Sequence, residues 1–325
     1  MSRGWFAVRM VTAMLLCVGF SLPASAQDYP TRPIRAIATT APGGLSDVFM
    51  RALGEELRIQ LGQPVVVENR AGGAMNVGTR ACIEAAPDGY TICILHNEPV
   101  TFNQFVYRNL GFDPDKGLQP ISNLFFLTQG LIVNAKLNVK TLDDLVAASK
   151  AKPGTMSFLT ASPALALFMD RLRTEKGADW VRVPFKGGGD AVNAVMNGST
   201  PIALIGVGNV LGQLRSGEMT ALAIGNEMRS PLFPEVPTIL DLGYKGAPSR
   251  DWYGLFVPAG TPKAIVDKLA EATQRIFKDP AFREKNILNR GLVPAVSTPD
   301  DFAALIRRDR AAAEQLVKDA KIELR

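Results

Sequence analysis

The stretch from Arg35 to Leu57, RAIATTAPGGLSDVFMRALGEEL, does most to limit the folds open to this chain. Ile34 to Thr39 opens after Pro33, is too short for a helix and reads as an apolar strand. Pro42 sets one φ, while Gly43 and Gly44 permit positive φ and carry no Cβ to keep a ligand from the backbone. Ser46 or Asp47 is the expected N-cap of a helix whose apolar positions Val48, Met50, Leu53 and Leu57 recur at helical spacing. A strand, a tight glycine turn and a helix start bring unpaired N–H groups and the positive end of a helix dipole to one point, where an anion is stabilised. The dinucleotide fingerprint G-x-G-x-x-G and the phosphate-loop Lys-Ser/Thr pair are both absent, so the turn does not read as a nucleotide site. A plain strand-to-helix turn is the alternative reading of this stretch alone.

The same design recurs. Gln63 to Asn69 (QPVVVEN) reads as a buried strand, and the turn from Arg70 to Gly78 leads into a helix ending near Ala86. After the turn Pro87-Asp88-Gly89, a third strand from Tyr90 to Leu95 delivers His96-Asn97-Glu98-Pro99. Strand-helix alternation with short connections predicts right-handed βαβ units, whose loops share one crevice at the carboxyl edge of a parallel sheet. Further on, Thr141 caps a helix to Ala151, Met156 to Thr160 is a strand, and a helix from Pro163 to Lys176 follows Ser162. Trp180 to Pro184, Ile202 to Val207 and Thr220 to Ile224 are further strands, with a short helix near Val210 to Ser216; Pro262 to Phe277 and Pro299 to Ala320 are helices.

At the N-terminus, Arg3 and Arg9 precede an apolar run from Met10 to Leu22, and Ala24-Ser25-Ala26 supplies a small-x-small cleavage pattern. Residues 1–26 therefore read as a secretory signal peptide, too short in its apolar run for a membrane anchor, with the mature chain starting at Gln27. The remaining length suits two domains. Removing Arg3 and Arg9 with the signal takes the formal charge from +5 to +3, with basic residues dispersed, which argues against nucleic acid as a partner. Cys82 and Cys93 would lie on a helix and on the following strand in a compartment that permits disulfides; a bridge and two buried free thiols are the two possibilities. A single histidine, His96, and no clustered ligand spacing give no support for a metal or cofactor.

Beyond these local patterns, the ordered series YPTRPIR, APGGLSD, LGQPVVVENRAGG, APDGYT, FDP, VPFKGG, RSPLFPEVPT and WYGLFVPAGTP resembles the solute receptors of tripartite tricarboxylate transporters, the Bug family, from Tyr29 to the C-terminus. The resemblance implies an α/β, two-lobed periplasmic-binding-protein (Venus flytrap) fold, each lobe a mixed sheet flanked by helices. Lobe one would comprise residues 27–127 and 252–325, and lobe two residues 128–251, with crossings in the extended runs Ile121–Val133 and Asp251–Pro258. It implies a monomeric periplasmic receptor that clamps a small carboxylate, or a related amide or amino-acid-like compound, and delivers it to integral membrane transporter subunits. A receptor docking on a membrane sensor is the alternative. A secreted hydrolase is disfavoured by the missing G-x-S-x-G elbow and the lone histidine. Ligand contacts are expected from Thr40, Ala41, Gly43, Gly44, Leu45, Ser46 and Asp47, from Met75 and Asn76, and from Asn97 and Glu98. From the second lobe they are expected from Thr160, Ser162, Phe185, Lys186, Gly187 and Gly188.

The chain departs from the family pattern at the pocket. Asn97-Glu98-Pro99-Val100 stands where members commonly carry Ser or Thr with a His, Leu45 where a small hydroxyl residue is usual, and Met75 at a usual glycine. Thr160-Ala161-Ser162-Pro163 replaces a longer Gly/Ser-rich loop ending in His. A carboxylate such as Glu98 beside an anion site repels an anionic solute unless the solute brings an N–H or ammonium group to match it. Glu98 turned to solvent, or paired at the rim, is the alternative.

Overall fold

The computed structural model describes residues 29–319, apart from 161, 184–187, 226–228, 231 and 245–250. The signal-peptide reading, Ala161, Pro184 and the proposed contacts Phe185, Lys186 and Gly187 lie outside the described residues.

Strand β1 (Ile34–Ala38) lies parallel between β2 (Val65–Asn69) and β3 (Thr91–His96), with Ala38 level with Asn69 and Ile94. Helices α1 (Leu45–Leu61) and α2 (Asn76–Ile83) make the crossovers. Strand β10 (Trp252–Pro258) pairs antiparallel with β3 and with β4 (Leu118–Leu127), and β11 (Leu292–Pro294) closes the six-stranded order β11-β4-β10-β3-β1-β2. Both faces of this sheet are covered, as parallel strands require. On one face Phe49, Met50, Leu53 and Leu57 of α1 pack with Leu269, Ile276 and Phe277 of a C-terminal helix, α7 (Lys263–Lys278). On the other, Cys82, Cys93, Trp252 and Phe256 pack with Phe302 of the last helix, α8 (Pro299–Asp319). Cys82 and Cys93 are joined as a disulfide, tying α2 to β3.

The second sheet has the order β7-β6-β8-β5-β9, made of β5 (Gln129–Asn134), β6 (Ser157–Thr160), β7 (Val181–Arg182), β8 (Ile202–Gly206) and β9 (Met219–Ile224). β6 runs parallel to β7 and β8, while β5 is antiparallel to β8 and β9. Helices α3 (Leu142–Ala151), α4 (Pro163–Lys176), α5 (Gly188–Asn197) and α6 (Leu211–Ser216) flank it. Thr141 caps α3 in a full capping box with Asp144. The chain leaves the first sheet at Leu127, enters the second at Gln129 and returns through Asp251 to Trp252. The two crossings are tied side by side: Leu127 N–H donates to Asp251 O at 2.8 Å, and Gln129 Nε2 to Asp251 Oδ2 at 2.7 Å.

Three local expectations change. β2 ends its sheet with one neighbouring strand, so Val66 is 58% exposed and the strand is half-buried. Trp180 leaves its strand to bury its ring, donating Nε1 to Met169 O at 3.2 Å, and β7 shrinks to two residues. Helix α1 begins at Leu45 with Gly44 as its N-cap, not Ser46 or Asp47, because both of those side chains reach back into the turn.

Candidate functional site

The first loop is built from inside. Thr40 N–H donates to Ser46 Oγ at 3.0 Å, the two hydroxyls lie 2.8 Å apart, and Gly44 N–H donates to Ala41 O at 2.9 Å. Asp47 accepts from Gly43 N–H at 2.8 Å, from Asn69 Nδ2 at 3.0 Å and from Arg51 at 2.8 Å. Burial alone would raise the Asp47 carboxyl, but the hydrogen bonds from Arg51, Gly43 and Asn69 and the Arg51 charge hold it below the usual carboxylate range. Ser46 and Asp47 are buried and form the frame of the loop, while Ala41 and Gly43 stay exposed at its rim. The two glycines serve different ends. Gly43 takes φ +82°, whereas Gly44 is extended and a Cβ there would lie 2.5 Å from Thr40 Oγ1. Helix α1 has no side-chain cap, and the buried Asp47 carboxylate in its first turn offsets part of the positive end of its dipole.

The second loop lies beside the first because β1 and β2 are parallel neighbours, and α2 packs so closely that a Cβ on Gly78 would lie 2.7 Å from Arg70 O. Four successive residues, Gly72, Gly73, Ala74 and Met75, have positive φ (125°, 54°, 51° and 65°). The left-handed region costs a non-glycine L-residue about 1–2 kcal/mol, so surrounding contacts must hold Ala74 and Met75 there. Met75 is the N-cap of α2 without a side-chain cap, its sulfur receives the Tyr253 hydroxyl at 3.8 Å, and Asn76 Oδ1 accepts from Asn103 Nδ2 at 2.7 Å.

The third loop leaves β3 as a π-helical turn, Glu98–Phe102, a form frequent at functional sites. Asn97 bridges to the returning crossing, donating Nδ2 to Asp251 Oδ1 at 3.3 Å and accepting Trp252 N–H at 3.4 Å. Glu98 N–H donates to His96 Nδ1 at 3.3 Å, and the His96 ring meets Tyr253 edge-on at 4.9 Å. Burial holds the imidazole below its ordinary pKa, against the pull of Asp251. Burial, then Asp251 and Glu98, push the Tyr253 hydroxyl well above its usual value. This edge thus carries a neutral imidazole, a protonated phenol and two carboxyl groups, with Tyr253 and Asp251 buried behind it.

Thr40, Ala41, Gly43, Gly44, Leu45, Met75, Asn76, Asn97 and Glu98 therefore share the carboxyl edge of three neighbouring strands. Of the second-lobe candidates, the described ones, Thr160, Ser162 and Gly188, lie at strand ends and helix starts of the second sheet. Thr160 ends β6, its Oγ1 accepting Ser162 N–H at 3.1 Å, Ser162 caps α4, and Gly188 opens α5. Sequence reasoning passed over Asn69, Asn103, Gln129, Asp251 and Tyr253. One signal was available: Asp251 stands directly before the wholly buried run WYGLFVP, and a carboxylate at the mouth of such a strand needs partners. Among the described residues no cluster of His, Cys, Asp and Glu suits a metal ion, and no helix is long and apolar enough to cross a membrane.

The family model described as the tripartite tricarboxylate transporter family receptor matches residues 49–322. The chain belongs to that receptor family. It is 33% identical over 302 residues to BugT of Bordetella pertussis, spanning 91% of this chain and 92% of the relative. A solved periplasmic transporter superposes with TM-score 0.82 at 32% identity, covering 91% of this receptor and all of that chain. MatC from Rhodopseudomonas palustris, solved with bound malate, gives 0.77 at 27% identity over 89% of this receptor and all of that chain. The receptor is thus a two-lobed solute-binding protein of the periplasmic class.

Proposed function

We propose that residues 27–127 with 252–325 form one lobe and 128–251 the other, and that they close on a small carboxylate-bearing solute in the periplasm after signal cleavage. The observation that carries this reading is the shared edge. Three parallel strands deliver the uncapped starts of α1 and α2 and the Asn97-Glu98 turn to one place, directly beside both crossings. The backbone N–H groups of Ala41 and Leu45 would hold the carboxylate, with Thr40, Gly43 and Gly44, whose own N–H groups are taken up inside the loop, shaping its rim together with Ser46 and Asp47; Met75 and Asn76 would flank it. Thr160, Ser162, Phe185, Lys186, Gly187 and Gly188 would close from the second lobe. The bound malate of the related MatC supports this solute class. The receptor works as a monomer, hands its solute to integral membrane subunits and performs no chemistry on it.

Native mass spectrometry of freshly purified protein, followed by calorimetric titration with malate and related dicarboxylates, tests the reading. A retained or titratable carboxylate is expected. Failure of every carboxylate to bind, or turnover of an ester or amide, would overturn it. Glu98 selects within this class: the solute carries an N–H or ammonium group beside its acid. Affinities of matched amine and des-amino compounds should favour the amine by about tenfold in the wild type, and Glu98→Gln should erase that preference. Equal preferences in both proteins would remove the role of Glu98.

A further inference from the structure

We propose that Asn103 is a positioning residue that holds the second loop in its solute-ready conformation, an inference that rests on the reading of that loop as a solute contact. The loop runs through Ala74 and Met75 at positive φ, a conformation neither side chain favours, and Ala74 is exposed, so its own packing does not hold it. Asn103 does. Its Nδ2 donates to Ala74 O at 3.3 Å and to Asn76 Oδ1 at 2.7 Å, gripping both sides of Met75.

The amide is a costly choice for its place. Asn103 is fully buried, and its Oδ1 makes no hydrogen bond among the described residues. A buried polar side chain left half-satisfied is worse than an apolar one of the same shape unless its remaining bonds do something an apolar group cannot. Here they fix the carbonyl of a left-handed residue at the start of α2. The backbone of Asn103 is anchored as well: its N–H donates to Glu98 O across the π-helical turn, and its own carbonyl accepts from Val106 and Tyr107. The third loop thus reaches back to brace the second, beside the Tyr253 hydroxyl on the Met75 sulfur.

The test measures local order before affinity. In the ligand-free protein, Asn103→Leu should speed amide hydrogen exchange in residues 73–77 by about tenfold while exchange in the β-sheet cores stays within about twofold. Ala74→Gly on that background should restore most of the protection, because glycine accepts positive φ without a tether. A side chain that merely fills space would respond to neither change in this way. Asn103→Ala serves if the leucine variant does not fold. Titration with malate, succinate, glutarate and adipate should then show a matching tenfold loss of affinity in the variant and its recovery in the double variant. Unchanged exchange at 73–77, acceleration spread evenly over the protein, or no recovery with Ala74→Gly would each overturn the proposal. If the wild type binds none of the four acids and neither of their amine-bearing counterparts aspartate and glutamate, the solute reading fails separately and the exchange data alone decide the role of Asn103.

Discussion

Asp47 accepts from a backbone N–H, an amide and a guanidinium while only 3% exposed, so its charge is needed where it sits. Its carboxyl is held below the ordinary range. A depressed folded value favours the folded state once the unfolded group has ionised, so this contribution is present above about pH 4 and disappears as pH falls through the folded value. Asp47→Asn should therefore lower stability by about 1–3 kcal/mol at pH 7, with the gap to wild type narrowing below about pH 4. Denaturant midpoints at the two pH values check both the size and the convergence. The sequence showed a polar pair, Ser46-Asp47, at the head of a helix; it did not show which way they face. Capping and framing use the same side chains, and the choice depends on Asn69, which arrives from another strand.

The elements most legible in the chain were those whose period and punctuation agree: β1, α1, β3, α3 with its Thr141 cap, α4 and α7 all form near their expected places. The short ones were not. β11 has three residues, and the π-helical turn after β3 differs from an α-helical one by a single hydrogen-bond step, which no local pattern announces. Cys82 and Cys93 stood open between bridge and thiols because α2 ends near Ile83, and only the packing of α2 on β3 brings the two sulfurs together. Closing a loop of 11 residues should contribute about 3 kcal/mol through the unfolded chain. The double variant Cys82→Ser, Cys93→Ser should lose about that much stability and keep its solute affinity within about twofold, since the bridge lies in the hydrophobic core cluster with Trp252 and Phe302. Thermal unfolding with and without reductant, beside titration, separates the two effects.

Across the whole molecule, the parts carrying the two sheets touch again beyond the crossings. Gly208, after β8, lies against the turn Leu288–Arg290 so closely that a Cβ would fall 2.0 Å from Arg290 O, and Gly291 packs back on Gly208. The obstructing atom is backbone on both sides, so Gly208→Ala forces the lobes to move rather than a side chain to yield. It should disfavour every conformer that keeps this contact by about 1–3 kcal/mol, changing the ligand-free scattering radius and weakening solute binding by about tenfold. Gly212→Ala, whose Cβ would meet nothing within 4 Å, is the silent control. If both variants scatter and bind as the wild type does, the contact has no part in hinge motion. Read alone, the chain determined the strand-turn-helix units, their parallel order and the extended crossings, because apolar period, glycine turns and cap residues act within a few positions of themselves. The tertiary structure decided that Asn97, Gln129 and Asp251 meet in one knot where the two crossings run side by side, that Asn103 braces the loop at Met75, and that Ser46 and Asp47 turn inward. Those partners are brought together by sheet order, and a buried polar atom is satisfied by whatever the fold places beside it, at any distance along the chain.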